Sequence, residues 1–323
     1  MCSVSEGVLP KPKYPAKWCL LLLTSLGHGA CVSLNGYTPV PRGHPGFPTL
    51  RVSPEDRVVR GLLVTGAESL LVMTNRYRLV LLSAGQLPDA RPAPDGASPS
   101  PLMSLEPGER VVWAGTWPQE EVPFWLLVTR HGWVRRFKGR DVTARVYENS
   151  RLRGISEWWG EPRVFLPVWE DDVLLVLTRE TRQIHLPVRI VSLYRELMLS
   201  LQTGDEVAGG VLEEGEELLL LISAQGRGVR HRLPVRKKSG WTWGWGQRLS
   251  TQLEVAVVTR VRERDEVFVL SEQGRVWRLP ASEFPVRRRV VRGTQVLQVS
   301  STDAVVDAVP VSPVQLASDN GVG

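Results

Sequence analysis

Signatures of catalysis are missing from this chain. It has no G-x-S-x-G, no H-E-x-x-H and no Walker-type phosphate loop, and Gly244-Trp-Gly246 lacks the third glycine of a dinucleotide fingerprint. Its five histidines, His28, His44, His131, His185 and His231, are scattered and set no base beside a nucleophile. No enzymatic activity and no cofactor are therefore expected. Cysteine is scarce: Cys2, Cys19 and Cys31 are too few for a disulfide framework and fit a reducing, cytoplasmic setting. Cys19, His28 and Cys31 have neither C-x-x-C spacing nor a fourth partner, so no metal site is expected. No apolar run approaches the length of about 18 residues needed to span a membrane, so no membrane partner is expected. Lys11, Lys13 and Lys17 ahead of Trp18-Cys-Leu-Leu-Leu-Leu23 resemble a secretory signal, but the run is short. Sustained apolar stripes at helical spacing are also missing, and helix should be scarce.

What the chain has is a repeat. A run of aliphatic residues ends in Thr or Ser six times, at Thr24, Thr74, Thr129, Thr178, Ser223 and Ser271, with spacings of 50, 55, 49, 45 and 48 residues. A period near 50 marks a repeat architecture, and it places Leu20 to Thr24 in register with the later copies. In the last copy, Val267 to Leu270 leads through the turn Ser271-Glu-Gln-Gly274 into the alternating run Arg275-Val-Trp-Arg-Leu279, the pattern of a hairpin. Val296 to Val299 and Ala304 to Val309 supply two further strand candidates. Four short strands per repeat match a propeller blade, and the missing Trp-Asp dipeptide argues against the WD40 kind. The expected fold is all-β: a six-bladed β-propeller or pinwheel disc of four-stranded repeats. It fills residues 17–312, with blades near 17–66, 67–120, 121–170, 171–215, 216–264 and 265–312, an N-terminal tail over 1–16 and a flexible C-terminal tail over 313–323.

Charge is uneven along that disc. The chain carries 40 Lys+Arg against 34 Asp+Glu, a net +6. Residues 227–292 alone hold 16 basic and 6 acidic residues, a local +10, which leaves the rest near −4. Such asymmetry draws polyanions to one sector. Three basic clusters come after a repeat's second strand, the same place in each: Arg135, Arg136, Lys138 and Arg140; then Arg230, Arg232, Arg236, Lys237 and Lys238, followed by a Trp/Gly ribbon and Arg248; then Arg287, Arg288, Arg289 and Arg292. Cations beside aromatics suit phosphates and bases. The bland alternative is that the charges blunt strand edges and the Trp residues pack between blades.

With the repeats aligned, the chain resembles the C-terminal β-pinwheel domain of the bacterial type II topoisomerase A subunits, DNA gyrase A and topoisomerase IV ParC. The residues that carry the likeness are Val269-Leu-Ser271, Gly274, Arg275, Arg278, Glu283-Phe-Pro285, Arg289 and Gly293-Thr294, with Leu105-Glu-Pro-Gly-Glu-Arg-Val111 echoing the family's turn between blades. The resemblance covers roughly residues 17–312. It implies double-stranded DNA bent around the basic perimeter through phosphate contacts, without base reading, in association with a topoisomerase. It adds Arg275 and Arg278 to the candidate DNA-binding residues. The family's Gln-Arg-Arg-Gly-Gly-type box does not occur here, so bending rather than full wrapping is expected. A propeller serving as a protein-interaction or structural platform is the alternative.

Overall fold

In the six aliphatic runs every residue is buried, not every second one. In the run Leu20 to Leu23, Leu20 and Leu22 pack against Phe268 and Leu270 of the sixth run. Leu21 joins Leu70 of the second run, and Leu23 joins Val72. Strand side chains alternate between faces. A strand sandwiched between two neighbouring sheets must therefore be apolar at every position. The same division recurs around the molecule, so that each pair of adjacent blades shares its own apolar cluster.

The resulting architecture, in the computed structural model, is a six-bladed β-propeller. The structure describes residues 18–320 except 89, 91–93, 214–217, 233–246, 250–251 and 288–291. Each blade is built on the aliphatic strand. In blade 6, Glu266–Ser271 pairs antiparallel on one side with Arg275–Pro280 and on the other with Val305–Val311. Strands equivalent to Val305–Val311 line the axis in every blade, and a cavity of about 210 Å³ runs between them.

The hairpin turn is the same device six times. The Thr or Ser hydroxyl accepts a hydrogen bond from the amide four residues on, at 3.1–3.3 Å, in all six blades. The residue three positions on from the Thr or Ser is left-handed: Gly27, Gly132, Gly226 and Gly274 have φ between 75° and 85°. Tyr77 at 58° and Thr181 at 64° take the same conformation without glycine. The hydroxyl thus gives a partner to an amide at the mouth of the tight turn.

The outermost strand of a blade is donated by the next repeat. Blade 1 receives Ser100–Pro101, blade 3 Leu197–Met198, blade 4 Gln247–Arg248 and blade 5 Val286–Arg287, while blade 6 receives Phe47–Pro48 and so closes the ring onto blade 1. At the axis, Asp307 of blade 6 accepts the Gly61 amide at 2.8 Å and pairs with Arg60 at 3.3 Å, closing the inner ring as well.

Several expectations need correction. Val296 to Val299 is not a strand; Thr294–Gln295, just before it, joins the sheet of blade 5. Blade 2 has three strands among the described residues, not four. Where its donated strand would come from, the chain forms helix α1, Gly139–Tyr147, with Val142 and Val146 buried against Leu79. The stretch read as a C-terminal tail begins with helix α2, Pro313–Asn320, whose Leu316 packs near Leu34 and Tyr37. Ser312 and Gln315 form the reciprocal cap that starts it, and Pro313 sits where a missing amide costs nothing. The register of Leu20 to Thr24 with the later copies, by contrast, agrees with the structure, which places it in the buried strand Cys19–Thr24. No helix among the described residues is long and apolar enough to cross a membrane.

Candidate nucleic-acid interface

Donated strands form the perimeter, so their composition sets its chemistry. Blades 1, 3 and 6 are edged by Ser-Pro, Leu-Met and Phe-Pro, whereas blades 4 and 5 are edged by Gln247–Arg248 and Val286–Arg287. Among the described donated strands, arginine occurs in these two alone. Arg232, Arg248, Arg287 and Arg292 are exposed in the sector of blades 4 and 5. Arg248 bonds the Glu180 backbone carbonyl and lies 3.2 Å from its carboxylate, which leaves it partly neutralised. Arg236, Lys237, Lys238, Arg288 and Arg289 belong to the same stretches of chain and lie outside the described residues.

Other cations named from the sequence hold the blades together. Arg230 is 3% exposed; its Nε donates to the Phe284 carbonyl at 2.7 Å and its Nη1 lies 3.2 Å from Glu263. Beside it, His231 Nδ1 lies 3.1 Å from the Arg287 carbonyl. Burial lowers the pKa of His231, the contact with that carbonyl partly opposing it, so the ring is neutral and does not add to the basic edge. Together these two residues fasten the strand that presents Arg287. Arg275 donates to the carbonyls of Pro45 and Gly46, and Arg278 to that of Tyr37 and to Glu266. Both therefore grip the segment that blade 1 donates to blade 6. Arg227, absent from the sequence-derived candidates, does the same for blade 5 through the carbonyls of Arg292 and Gly293.

The blade 3 cluster is not equivalent to the other two. Arg135 and Arg136 lie within the strand Trp133–Lys138, not in a loop after it. Arg136 is buried over the Phe124 ring, 4.6 Å from its centroid, and Arg135 bonds the Gly154 carbonyl. Lys138 is half-buried at the start of α1, and Arg140 projects from that helix, 79% exposed and 3.8 Å from Asp141. A shared position after the second strand does not give a shared location, because α1 replaces the loop in blade 3.

Comparison with known proteins bears directly on this arrangement. Residues 265–312, which form most of blade 6, match the family described as DNA gyrase C-terminal domain, beta-propeller. The solved structure of a DNA gyrase A C-terminal domain superposes on 91% of this chain and 99% of its own, with a TM-score of 0.77 at 20% identity. The fold is that of the gyrase A C-terminal domain. A topoisomerase IV C-terminal domain also superposes, on 92% of this chain, with a TM-score of 0.61 at 15% identity. By sequence the chain is 22% identical over 317 residues to the DNA gyrase A protein of Kosmotoga olearia and 24% identical over 320 residues to that of Aminobacterium colombiense. Those alignments cover 93% and 95% of this chain but 38% of each relative.

Proposed function

We propose that this gyrase-A-like propeller is a non-catalytic module that binds duplex DNA along the perimeter of blades 4 and 5. It does so without reading sequence, and bends the duplex as an accessory to a type II topoisomerase. The observation that carries the reading is that the donated edge strands of blades 4 and 5 carry arginine, whereas those of blades 1, 3 and 6 carry none. Phosphate contacts fix a protein on the duplex, and edge strands lying on a rim do not enter a groove as a recognition helix does. The family likeness supports the same ligand, since the matched relatives are DNA gyrase A proteins. Donated strands that carry arginine on two blades favour a bend across part of the perimeter over a full wrap.

A salt titration of binding to a plain mixed-sequence duplex tests this. With about five phosphates neutralised, log affinity should fall with log salt at a slope of about −4 to −5, indifferent to base composition. No binding at low salt would overturn the reading and favour a protein-interaction platform.

A further inference from the structure

Apolar surface on the perimeter is concentrated next to the basic sector. Met198 is 56% exposed and Tyr194 81%, on the donated outer strand of blade 3 and the loop that leads to it, and Trp158, 64% exposed, lies in the 3-10 turn Glu157–Trp159 that packs on Trp133 of the same blade. Met198 is the cross-strand partner of Trp133. The Trp133 ring is stacked on buried Trp159 at 5.2 Å and 9°. Trp158 stands against it edge-on, at 4.8 Å and 90°. Trp133 is thus fixed by its neighbours, and Trp158 packs on it while staying mostly exposed to solvent. A chain that needed only to pack its blades would have buried these rings.

We infer that this edge is a stacking platform for the unpaired bases of a single-stranded nucleic acid. The chemistry around the rings selects that occupant. Arg153 and Arg195 are exposed on the two segments that frame the platform. Arg135 ties those segments together, bonded to the Gly154 carbonyl and 3.9 Å from Glu196. Exposed aromatic rings flanked by arginines bind bases and backbone together, with little dependence on sequence because every base has a stackable face. Blade 3 adjoins blade 4, but these rings and arginines all lie on blade 3 or on the segment donated to it. A duplex would gain nothing from Trp158, because its bases are already stacked. The platform is separate from the basic sector, and its occupancy does not require duplex binding.

The test is binding of an oligothymidylate of about 15 nucleotides, followed by quenching of tryptophan fluorescence and by anisotropy. Trp158→Ala should weaken binding about tenfold, the order of one lost stacked base, while Trp158→Phe retains most of it. Trp158 is exposed, so both variants should melt with the parent protein. Arg248→Ala with Arg287→Ala should change oligothymidylate affinity less than threefold. Unchanged affinity in Trp158→Ala, or equal loss in Trp158→Phe, would overturn the platform. So would oligothymidylate binding that disappears with the Arg248 and Arg287 pair.

Discussion

At the scale of single residues, the turn between blades 1 and 2 shows how charge is spent on the fold. Glu109 is 3% exposed and accepts from Arg78 through both oxygens, from the Thr74 hydroxyl at 2.8 Å and from the Glu106 amide at 3.0 Å. Burial alone would raise its pKa; the Arg78 hydrogen bonds and those from the Glu106 amide and Thr74 outweigh it and hold the group at about 2. A carboxylate depressed in the folded state contributes stability above its unfolded pKa, and that stability is lost as pH falls from about 4.5 towards 2. The contribution is on the order of 3 kcal/mol. Glu109→Gln should therefore melt well below the parent at pH 7, and the gap should close towards pH 2, as thermal denaturation followed by circular dichroism would show. A constant gap would mean that packing alone is lost. Gly46 gives a second test. Its φ is 77°, and an added Cβ would sit 2.6 Å from the Trp277 ring. That ring is itself pinned by its indole N–H to the His44 carbonyl at 2.7 Å. Gly46→Ala combines a left-handed backbone penalty with overpacking and should cost roughly 2 kcal/mol or more, read as a shifted urea midpoint.

At the scale of elements, the strands that repeat in sequence were legible and the strands that cross between repeats were not. Each Thr or Ser announces its own hairpin through a local bond to the amide four residues on, so Leu175-Val-Leu-Thr178 could be placed from composition alone. Donated strands are two residues long and carry no periodicity. Ser100–Pro101 and Phe47–Pro48 are indistinguishable from loop, and only tertiary pairing defines them. Helix α1 was missed for a related reason: Val142 and Val146 are spaced for one helical face, but the helix is short and poor in strong helix formers. The candidate site suffered most from this. Arg230 and Arg287 look alike in sequence, yet one is a buried fastener and the other an exposed cation. The two roles predict opposite outcomes. Arg230→Ala leaves the Phe284 carbonyl without its donor and should cost about 1–3 kcal/mol of stability. Arg287→Ala should leave the melting midpoint unchanged and reduce the salt slope of duplex binding by about one. A fully stable Arg230→Ala that loses one unit of slope would reverse the assignment.

At the scale of the whole molecule, two closures make the disc rigid enough for its edge to matter. The outer one is Phe47–Pro48 in blade 6, and the inner one is the Asp307 link to Gly61 and Arg60. Side chains on a closed ring keep fixed separations, so the same arginines always face the same arc of a bound duplex. The field on that arc, rather than the modest net charge, should then govern affinity. Replacing Arg248, Arg287 and Arg292 together by Ala removes three exposed cations of the blade 4 and 5 perimeter. Since each phosphate contact contributes roughly 0.9 to the slope of log affinity against log salt, the triple variant should flatten that slope by about 2 to 3 units. Its affinity should approach the parent's at high salt, where the released counterions no longer drive association. Arg140 is the control. It is more exposed than Arg248, 79% against 36%, but it lies on α1, outside the blade 4 and 5 perimeter, and it is countered by Asp141. Arg140→Ala should change the slope by less than about half a unit. Equal losses from the triple variant and from Arg140→Ala would mean that DNA follows the total charge of the disc and not the sector that the donated strands build.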